Sequence, residues 1–230
     1  MKYEIVGNSM QSVRVIMDEN EKIFADSGKL LHKSANVIMT PRMVGGIVGA
    51  IERKFTGATG LLTEFQAEKG SGSVSLSGVM PGKIVTLELG EGDEFVAEHF
   101  AFLAAQSSVK FTMQTVGLGP AFFGGAGLVL QKFVGPGILF LHITGDVIEY
   151  NLDGTEPVEV DPGHIAAFSS TLEYKIRFVD NIRTAMFGGV GLFLATFTGK
   201  GRLIMHTISR FKLSSEMYIE GYQQNPSMHK

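Results

Sequence analysis

A nine-residue segment that begins with glycine and ends with phenylalanine occurs three times in this chain. The copies are GATGLLTEF at 57–65, GAGLVLQKF at 125–133 and GVGLFLATF at 189–197, and they align without gaps. Self-similarity at a nearly constant spacing is typical of folds built from repeated structural units. The repeat therefore constrains the architecture more than any other feature of the sequence.

Each copy is followed by a Gly-x-Gly pair and a second apolar run. The pairs lie at 70–72, 135–137 and 199–201. Two apolar runs that flank a short glycine turn predict a β-hairpin in each copy.

A second family of segments precedes each of these predicted hairpins. Its copies open with Glu21, Glu94 and Glu156, and thirteen residues later each has a serine. Those serines are Ser34, Ser107 and Ser169. The alternation that follows, as in 173–178, predicts strands with one buried and one exposed face.

These patterns predict an all-β fold of three related β-sandwich units, or short double-stranded β-helix units, in a pseudo-threefold arrangement. One unit of this size cannot bury both faces of its sheets, whereas three units can pack on one another. We expect residues 1–213 to form a single compact body, with repeats at about 1–86, 87–150 and 151–213. We expect 214–230 to form a polar C-terminal tail.

Composition excludes several classes of function. The 230 residues include no cysteine, which rules out disulfides, thiolate metal sites and thiol nucleophiles. The formal net charge of −3 argues against a general nucleic-acid binder. The N-terminal residues lack the pattern of a signal peptide, and no apolar run reaches the length of a spanning helix, so we expect a cytoplasmic protein.

Two histidines occupy matching repeat positions and are the weak candidates for a metal site. His142 and His206 lie five residues after Gly137 and Gly201, whereas the first copy has Ser77 at that position. The functional interpretation is a pair of metal ligands that face each other, but no His-x-His occurs in the sequence. The pattern favours ordinary strand residues, so we predict no catalytic residue, no metal and no cofactor.

Two further motifs resemble sites but favour turns. The run Asp161-Pro162-Gly163-His164 has turn chemistry, and no Gly-x-Ser-x-Gly accompanies it to complete an acid–base site. The glycine clusters at 117–119 and 124–127 resemble phosphate loops, but β-type residues follow them where a helix is required.

Two apolar, glycine-rich segments are the candidate interaction loops. If exposed, they would contact a protein partner or a membrane surface; if buried, they would close the ends of the sandwich or a subunit interface. Their residues are Gly45, Gly46, Ile47 and Val48 in the first segment, and Phe122 and Phe123 in the second.

The combination of these motifs resembles the altered-inheritance-of-mitochondria family. The matching motifs are Phe102-Leu103-Ala104, Gly124-Gly125-x-Gly127-Leu128, Gly135-Pro136-Gly137, Val160-Asp161-x-Gly163-His164 and Gly188-Gly189-x-Gly191-Leu192, within a match from Tyr3 to Phe211. The resemblance implies a triplicated fold similar to the tryptophan RNA-binding attenuation protein, and no agreed activity. The chain departs from the family pattern where it has Ala58, Ala126 and Val190 in place of a glutamate.

The sequence thus predicts a non-enzymatic scaffold or interaction protein that forms a homo-oligomer. A small-ligand or RNA-binding module is the alternative, although nucleic acid is disfavoured because the basic residues are scattered. An enzyme with a metal on His142 and His206 ranks third.

Overall fold

The computed structural model describes residues 1–43, 61–116, 128–178, 193–210, 212–214 and 216–217. Most of these residues lie in antiparallel β-strands, which confirms the all-β prediction. A 3-10 turn at Pro162–His164 and helical residues at 210, 212–214 and 216–217 are the exceptions. No helix within these ranges is both long and apolar enough to cross a membrane.

The described part of the chain contains nineteen strands. They are β1 (Lys2–Val6), β2 (Ser12–Met17), β3 (Lys22–Asp26), β4 (Leu30–Lys33), β5 (Val37–Met43), β6 (Leu61–Ala67), β7 (Gly72–Ser77), β8 (Gly82–Leu89), β9 (Glu94–Glu98), β10 (Phe102–Gln106), β11 (Lys110–Val116), β12 (Leu128–Val134), β13 (Gly137–Thr144), β14 (Val147–Asp153), β15 (Val158–Val160), β16 (Ile165–Ser169), β17 (Glu173–Phe178), β18 (Phe193–Thr198) and β19 (Lys200–His206).

The same six-stranded arrangement occurs three times, in β2–β7, β8–β13 and β14–β19. In each repeat, the first, sixth and third strands lie side by side in one sheet. The fourth, fifth and second strands lie side by side in another sheet. Each repeat therefore spans two sheets, and the chain passes between them at most of its turns.

The predicted hairpins at the Gly-x-Gly pairs are wrong. The strands on either side of each glycine turn belong to different sheets, as β6 and β7 do. At these turns Gly70, Gly137 and Gly199 have φ angles of 101°, 142° and 96°, a region that glycine adopts without steric cost. A short glycine turn suits a step between sheets as well as a hairpin, and local sequence does not distinguish the two.

Within each repeat the hairpin is formed instead by the fourth and fifth strands, as β5–β6, β11–β12 and β17–β18. Their connecting segments, 44–60, 117–127 and 179–192, lie outside the described residues. The glycine-to-phenylalanine copies end inside the second strand of each hairpin, and their final Phe65, Phe133 and Phe197 are buried.

Neighbouring repeats share sheets. Sheet B combines β8, β13 and β10 with β3, β6 and β5 of the preceding repeat, and sheet C combines β14, β19 and β16 with β9, β12 and β11. The outer two sheets contain strands of one repeat each, with β1 added at one edge. They are sheet A (β1-β2-β7-β4) and sheet D (β15-β18-β17).

Three hydrophobic clusters fill the spaces between successive sheets. One joins sheets A and B, one joins B and C, and one joins C and D. In the middle cluster the rings of Phe102 and Phe133 stack with centroids 5.0 Å apart. Because sheets B and C are covered on both faces, their central strands are apolar at nearly every position, as in β10.

A side-chain hydrogen bond recurs at the start of the sixth strand in every repeat. Ser34 Oγ, Gln106 Oε1 and Ser169 Oγ accept the backbone N–H of Ser73, Ile138 and Arg202, at 3.0, 3.3 and 3.0 Å. The predicted equivalence of Ser107 with the other two serines is therefore wrong by one residue. The longer glutamine reaches the same N–H from the same position, so the bond is kept while the residue type is not.

Candidate functional site

Acidic side chains from all three repeats occupy one equivalent position. Asp26 and Glu98 end the second strands β3 and β9, and Asp161 follows the second strand β15. Each acid has a cationic or titratable neighbour close to its carboxylate. The contacts are Lys29 Nζ at 3.7 Å from Asp26, His99 Nδ1 at 2.9 Å from Glu98 and Lys212 Nζ at 2.8 Å from Asp161.

Sequence reasoning missed this set of acids. The second strands that carry them share little sequence, so only their sheet register reveals the equivalence. Ala25 pairs with Ala104, and Ala97 pairs with Ala167, which places Asp26 and Glu98 one residue further along in the same position.

The two matching histidines lie close to these acids and are buried. His142 in β13 is 2 % exposed and His206 in β19 is 4 % exposed. The neighbouring charges are Lys29 and Arg210 around His142, and Glu98 and Arg210 around His206. We call the acids, their partners and these histidines the polar cluster.

Hydrogen bonds tie His206 to the backbone of neighbouring strands. Its Nδ1 accepts the backbone N–H of Thr144 at 3.1 Å, so this nitrogen carries no proton. The ring of His164 lies against the backbone carbonyl of His206, with Nδ1 at 2.9 Å from the oxygen. His142 packs closely against Gly78, where an added Cβ would overlap its ring, and a backbone hydrogen bond links it to Met80.

Burial sets the protonation of both histidines. It lowers the pKa of His142 to about 4, helped by the positive charge of Lys29. It lowers the pKa of His206 to about 4 as well, although the carboxylate of Glu98 acts in the opposite direction. Both rings are therefore neutral near pH 7.

The acids and Lys29 respond to the same burial. Burial raises the pKa of Asp26 despite the nearby Lys29, and it lowers the pKa of Lys29. At Asp161, burial raises the pKa, but hydrogen bonds from Lys212 and the Gly163 N–H outweigh it and leave the pKa lowered.

The polar cluster does not assemble a metal site from the described residues. Within those ranges no three or more His, Asp or Glu side chains are placed to hold one ion. The Nδ1 of His206 accepts the Thr144 N–H, so in this arrangement that nitrogen is not free to bind a metal ion.

The turn predicted at Asp161–His164 is confirmed. Asp161 caps a 3-10 turn by accepting the Gly163 N–H at 2.9 Å, and β16 starts directly afterwards. The carboxylate of Asp161 contacts Lys212 Nζ at 2.8 Å, and Nδ1 of His164 lies 2.9 Å from the backbone oxygen of His206.

Several predicted residues lie outside the described part of the chain. They are the candidate interaction loops Gly45, Gly46, Ile47, Val48, Phe122 and Phe123, the glycine clusters at 117–119 and 124–127, and Ala58, Ala126 and Val190.

Among the edge strands of the described residues, two are open only because the repeat series ends there. Among the described residues, β4 pairs with β7 on one side and β15 pairs with β18 on one side. The equivalent strands of the other repeats are paired on both sides. Leu31 in β4 is 58 % exposed, whereas its counterparts Leu103 and Ala166 are 0 % exposed.

A small polar cavity of about 310 Å³ lies beside the junction of the first two repeats. It is lined by Met1, Glu21, Lys22 and Gln106, among others, and its volume is at the lower limit for small-molecule sites. The α-amino group of Met1 contacts Glu21 at 2.8 Å.

Comparison with known proteins places this architecture in a family. The family model described as mitochondrial biogenesis AIM24 matches residues 3–208. The chain belongs to the AIM24 family. This confirms the resemblance seen in the sequence motifs.

Two proteins from Streptococcus pyogenes are similar to this chain. The chain is 27 % identical over 213 residues to the uncharacterized protein M6_Spy0233 of serotype M6, covering 89 % of this chain and 85 % of the relative. It also matches the crystal structure of protein SPYM3_0169 with a TM-score of 0.76 and 24 % identity, over 97 % and 98 % of the two chains. That structure shows a shared fold, and neither relative carries an assigned activity.

Proposed function

We propose that this chain is a non-enzymatic interaction protein that assembles by adding strands to its open sheet edges. The observation that carries the proposal is the outer side of β4, which pairs with no described strand, whereas the equivalent strands β10 and β16 are paired on both sides. An open edge presents unpaired backbone groups, which pair readily with another strand.

The polar cluster supports a non-catalytic role. A general acid or base is effective when its pKa lies near the working pH, whereas burial lowers the pKa of His142 and His206 to about 4. The hydrogen bond from the Thr144 N–H to His206 Nδ1 links the end of β13 to the end of β19, which is a structural role. The carboxylates of Asp26 and Asp161 form ion pairs with Lys29 and Lys212.

The proposal is tested by native mass spectrometry and sedimentation velocity of the gently purified chain. We expect the wild-type protein to form a complex and Leu31→Lys to lose it, because lysine on an edge strand opposes pairing. Val79→Lys is the matched control, since Val79 is also an exposed apolar residue but lies in a turn outside both edges.

Two results would contradict the proposal. One is a wild-type chain that stays monomeric at tens of micromolar with no bound protein. The other is equal loss of the complex in both lysine variants, which would show that the edge is not involved.

A further inference from the structure

We infer that the partner at these edges is a second copy of this chain, with β4 of one copy pairing antiparallel to β15 of the next. This inference rests on the proposed function, because it names the partner and the register of the same surface. The two strands lie at opposite ends of the repeat series, so the contact is head-to-tail.

The same type of strand pairing already occurs twice within the chain. At each internal junction, the second strand of one repeat pairs with the third strand of the next. The pairs are Ile23–Gln106, Phe24–Ala105 and Ala25–Ala104 at the first junction, and Phe95–Ser169, Val96–Phe168 and Ala97–Ala167 at the second. Three repeats make two such junctions and leave one second strand, β15, and one third strand, β4, without this partner.

The third strand is already shaped for this pairing. Its register with the sixth strand shifts at the same place in all three repeats. The shifts lie between Leu30 and His32, between Phe102 and Ala104, and between Ile165 and Ala167. β4 therefore has the local irregularity of the two strands that are paired on both sides, although its own outer side is open.

The register of the proposed intermolecular pairing follows from residues that occupy equivalent positions in the three repeats. His32 pairs with Ser75 where Ala104 pairs with Phe140, so His32 and Ala104 are equivalent. Val158 pairs with Phe197 where Ile23 pairs with Phe65, so Val158 and Ile23 are equivalent. The intermolecular pairs that follow are His32–Val160, Lys33–Glu159 and Ser34–Val158.

Charge distinguishes this junction from the internal ones. Lys33 lies opposite Glu159, where the internal junctions have Ala105–Phe24 and Phe168–Val96. Oppositely charged residues directly across two strands attract each other. The carboxylate of Glu159 already contacts Arg177 at 2.8 Å, so Lys33 would extend an existing ion pair.

Lys33 and Glu159 also protect the unassociated chain from non-specific strand pairing. A charged side chain on an open edge limits indiscriminate strand addition, which an apolar pair such as Phe24–Ala105 would invite. The edges are thus suited to a specific, salt-sensitive contact between copies that remain soluble when separated.

The absence of cysteine from the chain permits a direct test by disulfide trapping. The double variant Lys33→Cys/Glu159→Cys is oxidised mildly and run on a non-reducing gel. We expect a ladder of disulfide-linked dimers and larger species, because each copy carries both halves of the contact. A mixture of the two single variants should give a heterodimer that neither yields alone.

The register control is Lys33→Cys/Val158→Cys, which moves one cysteine by a single residue to the opposite face of β15. It should cross-link at least fivefold less than the matched pair. Equal cross-linking in the two double variants would overturn the register. A product confined to single chains would show closure within one copy and overturn the second-copy assignment, as would no product at all.

Reversing the charges of Lys33 and Glu159 tests the same pair without introducing cysteine. Lys33→Glu should weaken self-association about fivefold at low salt, and mixing it with Glu159→Lys should restore association between the two variants. Failure of this restoration would count against the proposed pair.

The outcomes separate the two proposals. If Leu31→Lys abolishes a complex with a different protein while the cysteine pair yields no link between copies, the interaction function stands and the second-copy inference falls. If neither variant changes any complex, both fall.

Discussion

Two buried histidines show how the repeat reuses one position for a structural purpose. His142 and His206 each have an ionisable ring enclosed by packed strands, and burial lowers the pKa of each to about 4. The neutral ring is therefore part of the folded state. Protonation would place a buried positive charge near Arg210 and, at His206, also near His164, which the carboxylate of Glu98 offsets only in part.

This arrangement predicts a loss of stability on mild acidification. Below the ordinary histidine pKa of 6.5 the unfolded chain binds protons that the folded chain does not bind until about pH 4. The free energy of unfolding should therefore fall as the pH drops through that window, by on the order of 3 kcal/mol for His206. Urea unfolding at several pH values between 7 and 4 measures the slope.

The control for this prediction is His206→Asn, whose side-chain oxygen is able to accept the Thr144 N–H but does not titrate. The variant should show a shallower pH slope than the wild-type chain. An unchanged slope would show that His206 is not the group responsible.

The glycines around His142 predict a steric effect. Gly78→Ala should lower the free energy of unfolding by about 2 kcal/mol, because the added methyl group overlaps the imidazole ring. His142→Ala in the same chain should recover part of this loss by removing the clash. If the double variant is as unstable as the sum of the two single variants, the clash is not the cause.

At the scale of single elements, the start of the sixth strand depends on one side-chain acceptor per repeat. A buried or half-buried backbone N–H without an acceptor costs about 1–3 kcal/mol. Gln106 and Ser169 supply that acceptor to different sheets, so the same chemistry anchors β13 and β19.

Adjacent residues allow a matched comparison of this role. Gln106→Ala should lower the free energy of unfolding by about 1–2 kcal/mol, because it removes the acceptor for the Ile138 N–H. Ser107→Ala should change it by less than about 0.5 kcal/mol, since the Ser107 hydroxyl is buried without a hydrogen-bond partner. Chemical denaturation measures both, and a larger effect at Ser107 would contradict the assignment.

At the scale of the whole molecule, shared sheets couple the repeats. Sheet C draws β9, β12 and β11 from the second repeat and β14, β19 and β16 from the third. Removing the third repeat would expose one side of β9. It would also expose apolar residues such as Val96 and Leu130, which pack against the third repeat. The second repeat is therefore incomplete without the third.

This coupling predicts that a chain ending at residue 144 does not fold as a soluble monomer. It should aggregate or associate through the exposed half of sheet C, while the full chain unfolds in a single cooperative transition. Solubility, sedimentation velocity and urea unfolding of the two proteins measure the difference. A soluble monomeric fragment with its own cooperative transition would show that the repeats are independent.

The sequence by itself determined the all-β class and the equivalence of the three glycine-to-phenylalanine segments. Phe65, Phe133 and Phe197 hold equivalent buried positions, as their nine-residue segments predicted, and His142 matches His206. These features were visible because the same residue types recur at the same local positions, and burial in an equivalent environment selects equivalent side chains.

Tertiary structure alone decided which strands pair. The Gly-x-Gly turns join different sheets, and Gln106 replaces a serine at an equivalent position. The acids of the polar cluster and the open edges at β4 and β15 likewise became visible only in the sheet register. Strand pairing depends on residues far apart in the chain, whereas an apolar run or a glycine turn has the same local pattern whichever sheet receives it.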